Sequence, residues 1–198
     1  VIWNVSVTEG ATRVSERAPR DGEMQFGYLG RINIEKGVGT LIDAARILHH
    51  EGVKFRILIG GKAANDMENF VSAAEGLPIE FLGFVKPAEF FSKIDALVIP
   101  SIWAEPLPRT GLEAYAAGIP VIGSRAGGTP DIIGHDNEDW LFEPGDASDL
   151  AAKMRRVIAG GREALPDPSS FASLLDETLP SVVVERYQQF YECALSQA

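Results

Sequence analysis

Two stretches of the sequence carry side chains whose types and spacing suit chemistry on anions. Gly30-Arg31-Ile32-Asn33-Ile34-Glu35-Lys36-Gly37 sets two cations five residues apart between glycines, immediately ahead of a helical period. Fixed cations and the backbone N–H groups of a helix start together suit a diphosphate. Two solvent-exposed basic residues would account for the same letters. The second stretch, Ser101-Ile102-Trp103-Ala104-Glu105-Pro106-Leu107-Pro108-Arg109-Thr110-Gly111-Leu112-Glu113-Ala114, runs from a loop straight into a helix. Glu105 sits in the loop and Glu113 about one turn inside the helix. Carboxylates so placed accept hydrogen bonds from sugar hydroxyls, while the helix start offers N–H groups to phosphate. A helix start merely enriched in acids is the alternative.

Other motifs are incomplete. No G-x-G-x-x-G follows the first strand, which weakens a dinucleotide oxidoreductase. Gly61-Lys62 resembles the end of a phosphate loop, but Ala63 stands where a magnesium-binding Ser or Thr belongs and Arg56 where the first Gly belongs. His49 and His50 are adjacent, His135 is distant and Cys193 is the single cysteine, so metal-ligand spacing and an internal disulfide are both excluded. No Ser-centred nucleophile elbow occurs. Asn4-Val5-Ser6 is read as a chance sequon, and Trp103 and Trp140 as packing residues rather than sugar platforms.

The elements that must position these loops alternate along the chain. Strand-like runs at 25–29, 55–59, 79–82, 96–99, 120–123 and 140–142 are separated by helical periods. Val38, Leu41, Ile42, Ala45 and Leu48 form one apolar stripe, and Ala96-Leu97-Val98-Ile99 is apolar on both faces, as a central buried strand requires. Gly118 stops the helix that begins at Arg109, and Asp146 or Ser148 caps the one that carries Leu150, Met154, Val157 and Ile158. Gly160–Pro168 reads as a linker, and Val183, Tyr187, Phe190, Tyr191 and Ala194 mark a final amphipathic helix. Val1–Asp21 reads as an opening strand and loop. The expected fold is α/β: a Rossmann-like, doubly wound parallel sheet of about six strands.

Composition bounds the function. The chain has 198 residues with 28 acidic and 18 basic side chains, a net charge of −10. Residues 1–100 carry 13 acids and 11 bases, residues 101–198 carry 15 and 7. Such a field repels a phosphate backbone, so nucleic-acid and anionic-membrane binding are disfavoured. The seven acids from Asp131 to Asp149 lack EF-hand spacing and read as a solvated face with helix caps, not a calcium site. No apolar run approaches the ~20 residues that span a bilayer and no targeting leader opens the chain, so the cytoplasm is the expected compartment.

Taken in order, Gly30-Arg31-x4-Lys36-Gly37, Phe81-Leu82-Gly83-Phe84-Val85, Pro100-Ser101, Glu105-x7-Glu113, Ala114-x3-Gly118-x-Pro120-Val121-Ile122 and Gly127-Gly128-x-Pro130-Asp131 resemble the retaining glycosyltransferases of family 4 over residues 24–159. The resemblance implies a two-lobed GT-B enzyme of which residues 1–198 are the C-terminal, donor-binding lobe, with a core of 24–159 and a linker and closing helices at 160–198. Val1-Ile2-x-Asn4 resembles the segment after the hinge, and the final helix the one that packs back across it. The N-terminal, acceptor-binding lobe is expected as the native partner. It would take an unknown acceptor, a glycan or a lipid-linked sugar, and could bring peripheral membrane association.

By position, the resemblance assigns Arg31 and Lys36 to the donor diphosphate and the backbone around Phe84 and Val85 to the nucleobase. It assigns Glu105 to hydroxyls of the transferred sugar, Glu113 to the ribose, and the N–H groups of Arg109 and Thr110 to phosphate or sugar. Pro108 departs from the family's usual Gly and removes one N–H donor. Arg109 is either a compensating cation or a plain surface residue. The implied reaction moves a sugar from a nucleoside diphosphate sugar with retention of configuration, needs no cofactor or metal, and requires both lobes. A non-catalytic nucleotide-binding module or a GT-B-shaped nucleotide-sugar epimerase is the alternative.

Overall fold

The computed structural model describes residues 23–63 and 67–196. The opening strand and loop expected at Val1–Asp21, the hinge-like Val1-Ile2-x-Asn4 and the Asn4 sequon lie outside them. Six strands, β1 (Met24–Leu29), β2 (Phe55–Gly60), β3 (Ile79–Gly83), β4 (Ala96–Ile99), β5 (Val121–Ser124) and β6 (Leu141–Phe142), alternate with helices. All pair in parallel in one sheet of order β3-β2-β1-β4-β5-β6. β4 and β5 are buried at every residue, whereas the edge strand β3 is partly exposed throughout. A strand covered on both faces can be apolar at every position, and that is how β4 and β5 read.

The helices follow the sequence periods: α1 (Val38–His50), α2 (Met67–Ala73), α3 (Pro87–Phe91), α4 (Arg109–Ala116), α5 (Thr129–Ile133), α6 (Ala147–Gly160), α7 (Ala172–Glu177) and α8 (Pro180–Ser196). The α1 stripe of Val38, Leu41, Ile42, Ala45 and Leu48 is buried. Of the two residues proposed to cap α6, Asp146 does so: its carboxylate accepts from the N–H groups of Ser148 at 2.9 Å and Asp149 at 3.0 Å. α6 packs on α1, and Arg155 forks onto Glu51 through bonds of 2.6 and 2.9 Å, which holds the Glu51 carboxyl below its ordinary range. Trp140 is buried, with the Arg156 guanidinium 4.5 Å from its ring.

The expected linker, Gly160–Pro168, holds a 3-10 turn at Arg162–Ala164 and leads into a second at Pro168–Phe171 and then α7, a short helix that sequence periodicity had not marked. Phe171 from this stretch stacks on Tyr115 of α4 with ring centroids 3.9 Å apart. α8 is helical where the apolar spacing predicts it. Of the residues that defined its stripe, Val183 is buried, while Tyr187, Phe190 and Tyr191 are exposed. Among the described residues, no helix is long and apolar enough to cross a membrane.

The strand order locates the crevice. From β1 the chain winds outward to β2 and β3, then returns to the other side of β1 and winds outward again through β4, β5 and β6. Right-handed crossovers send the connections of the two halves to opposite faces, so the loops after β1 and β4 part and leave a cleft. The two stretches singled out by chemistry are these loops.

Candidate functional site

The loop after β1 is closed by its own backbone. The Asn33 side-chain oxygen accepts from the Lys36 N–H at 2.9 Å, and the Ile34 carbonyl from the Gly37 N–H at 2.9 Å. Gly37 has φ 70°, and a Cβ there would lie 1.7 Å from the Pro100 carbonyl oxygen. Only glycine lets this loop lie against the end of β4. The contact is then locked, because the Glu35 carbonyl accepts from the N–H groups of Ile102 at 2.9 Å and Trp103 at 3.3 Å. Tyr28, buried at the end of β1, donates its hydroxyl to the Arg31 carbonyl. Burial pushes that phenol well above its ordinary range, the Glu105 charge adds to the shift and Arg31 opposes it.

A third loop holds the second. The Gly128 N–H donates to the Glu105 carbonyl at 2.8 Å. A Cβ at Gly127 would lie 2.2 Å from the Glu105 carbonyl oxygen, and one at Gly128 2.0 Å from that of Pro106. The Ser124 hydroxyl at the end of β5 donates to the Ser101 carbonyl at 2.5 Å. Loops from three neighbouring strands are thus laced into one wall by backbone contacts that leave no room for side chains.

The cleft beside that wall has two halves. The polar half, about 230 Å³, is lined by Arg31, Lys36, Ser101, Glu105, Arg109 and Thr110, among others. Lys36 Nζ lies 2.6 Å from Glu105 Oε2, with 17% and 23% of the two side chains exposed. The apolar half, about 440 Å³, is lined by Lys62, Phe84, Val85, Pro87 and Glu113, and shares Arg31 and Thr110 with the first. Phe84 is 77% exposed, and Lys62 Nζ stands 5.8 Å from its ring centroid. Burial raises the Glu113 carboxyl above its ordinary range, and Arg109, 4.0 Å away, pulls it partly back. No side chain caps α4, and Pro108 at its start is extended, its carbonyl accepting from the Gly111 N–H at 2.9 Å.

All eight residues singled out in the sequence line this cleft: Lys36, Glu105 and Arg109 in the polar half, Phe84, Val85 and Glu113 in the apolar half, Arg31 and Thr110 in both. Sequence reasoning missed Tyr28 and Lys62. Lys62 had appeared only as an incomplete phosphate loop, and Tyr28 as one more strand aromatic. Among the described residues, no group of three or more His, Cys, Asp or Glu side chains gathers as a metal site would require. Trp103 is half exposed in the loop after β4.

A parallel sheet of this order, with anion-suited loops at its switch point, defines a Rossmann-like lobe of the GT-B glycosyltransferase type. The catalytic domain of cholesterol-α-glucosyltransferase from Helicobacter pylori superposes with a TM-score of 0.66 at 25% identity, covering 77% of this chain and 96% of that one. The fold of Anabaena Alr3699/HepE, solved in complex with UDP and glucose, matches with a TM-score of 0.69 at 24% identity over 88% of this chain and 49% of that one. Residues 12–169 match the family described as glycosyl transferases group 1, and the chain belongs to that family. Among curated relatives, the amylovoran biosynthesis glycosyltransferase AmsK of Erwinia amylovora is 32% identical over 150 residues, 70% of this chain and 37% of that protein. The chain spans about a quarter to two-fifths of the length of the first curated relatives it matches.

Proposed function

We propose that this chain is the donor-binding lobe of a retaining glycosyltransferase, and that it holds a nucleoside diphosphate sugar along the two halves of the cleft. The observation that carries the reading is the meeting of Arg31, Lys36, Glu105 and the start of α4 in one cleft at the β1/β4 switch point, continuous with an apolar half beside Glu113. The UDP and glucose bound to the structurally similar Anabaena protein support this choice of ligand class. The base would lie in the apolar half against Phe84 and Val85, and the ribose hydroxyls would donate to Glu113. The diphosphate would meet Arg31, Lys36 and the N–H groups of Arg109 and Thr110, leaving the sugar beside Glu105.

The chemistry follows from charge. As the glycosidic bond breaks, the leaving diphosphate gains negative charge while the anomeric carbon becomes cationic. Arg31, Lys36 and the positive end of α4 would stabilise that leaving group. Because a two-lobed site is completed only when both lobes close, this chain binds nucleotide but transfers no sugar without an acceptor-binding lobe. A thermal-shift panel of UDP, GDP and ADP, each alone and as a sugar conjugate, tests the reading. At least one should raise the midpoint in a concentration-dependent way. No shift from any of them rejects donor binding, and sugar transfer by the chain alone rejects the need for a second lobe.

A further inference from the structure

We propose that Glu105 selects against a bare nucleoside diphosphate by holding the Lys36 ammonium until a sugar-bearing ligand replaces that contact. The inference rests on the donor-site reading above and adds to it a competition inside the cleft. The ammonium and the carboxylate are 2.6 Å apart, in a pocket where each keeps only about a fifth of its exposure. The backbone of each is held. The Lys36 N–H is tied to Asn33, and the Glu105 carbonyl takes the Gly128 N–H while Gly127 and Gly128 press on the loop. The other cations lining this half are Arg31 and Arg109, and Arg109 stands nearer Glu113, at 4.0 Å.

A diphosphate that reaches Lys36 must therefore take it from Glu105. The carboxylate is left without its cation, mostly enclosed and close to the incoming negative charge. Losing one partner of a shielded ion pair is costly, because the remaining charge has given up water without compensation. A bare diphosphate offers Glu105 nothing in return. A sugar on the same diphosphate carries several hydroxyls that donate to a carboxylate. The donor thus restores what its phosphates remove, whereas the product formed after transfer does not. Glu105 in this way favours the sugar-bearing ligand over the spent nucleotide and hastens product departure.

The test is isothermal titration with UDP, GDP and ADP, each alone and as its glucose conjugate, on the unaltered chain and on Glu105→Gln. Removing the negative charge should tighten the bare diphosphate roughly three- to tenfold, the scale of a partly shielded ion pair. The glucose conjugate should not tighten, so the preference for it falls. Glu105→Ala should act in the same direction, and melting curves of both variants establish that the fold is kept. In a Lys36→Met background, Glu105→Gln should tighten the bare diphosphate by a clearly smaller factor, since the competition has been removed and only direct charge repulsion is relieved. Unchanged or weaker binding of the bare diphosphate in both Glu105 variants overturns the proposal, as does a tightening of the same size without Lys36. Failure of the unaltered chain to bind any of the six ligands rejects the donor-site reading itself and this inference with it.

Discussion

The polar and apolar halves of the cleft are built by different means. Around Lys36 and Glu105, loops from β1, β4 and β5 are joined by backbone hydrogen bonds and pressed together at Gly37, Gly127 and Gly128. Around Phe84 and Lys62, the walls come from the ends of β2 and β3 near the sheet edge, and the largest side chain stands mostly in solvent. Charge-assisted hydrogen bonds depend steeply on distance and direction, so the groups proposed to meet phosphate and sugar need a rigid frame. Contact with a flat aromatic face tolerates displacement, so that half can be left open.

The strongest way to break this contrast uses two glycines with nearly the same backbone conformation. Gly37 has φ 70° and Gly83 φ 67°, yet a Cβ at Gly37 meets the Pro100 carbonyl at 1.7 Å while one at Gly83 meets nothing within 4 Å. Gly37→Ala should cost about 3 kcal/mol or more of folding stability, since the backbone of β4 must shift. Gly83→Ala should cost only the left-handed penalty of about 1–2 kcal/mol. Urea unfolding of both variants checks this, and equal losses would show that the polar half is no more tightly framed than the apolar half.

Binding gives the next effect. Arg31→Ala and Lys36→Ala should each weaken the nucleoside diphosphate by about 1–3 kcal/mol and flatten the dependence of affinity on salt. Phe84→Ala should weaken it by about 1 kcal/mol and leave the salt dependence unchanged. Titration at two ionic strengths separates them; a Phe84 effect that tracks salt would contradict the division of labour.

The smallest effect concerns Glu113. Burial raises its carboxyl above the ordinary range, so the folded chain binds this proton more tightly than the unfolded chain does. The group's contribution to stability is complete below the unfolded pKa and is lost as pH rises through the raised folded value. Glu113→Gln should therefore raise the melting midpoint slightly at neutral pH, by an amount that shrinks at acidic pH, while weakening the nucleoside diphosphate. Melting curves at pH 4 and pH 7 read the difference. A lowered midpoint at neutral pH would mean that the carboxylate supports the fold.

Much of the architecture could be read directly, because what defines it is local. Alternating apolar runs and helical stripes depend on neighbours a few residues away, so the six strands, the helix start at Arg109 and a cap at Asp146 or Ser148 were all visible. The candidate residues were visible for a related reason: cations between glycines and carboxylates before a helix stand out by type. Local pattern is silent on what covers a surface. The α8 period predicted an apolar stripe correctly, yet Tyr187, Phe190 and Tyr191 lie exposed. α7, at six residues, was too short to show a period at all.

The sequence by itself determined which loops could meet an anion and that they follow strands of a parallel sheet. Tertiary structure alone decided that two such loops share one cleft. β1 and β4 are neighbours because the winding reverses between them, and no pattern within either segment specifies that adjacency. The same holds for the Lys36–Glu105 pair and for the glycines that let three loops touch. Each depends on the register of strands far apart in the chain, and register is set by the packing of the whole sheet. Hydrophobic periodicity tells a segment which face to bury; only the assembled core tells it what it will face.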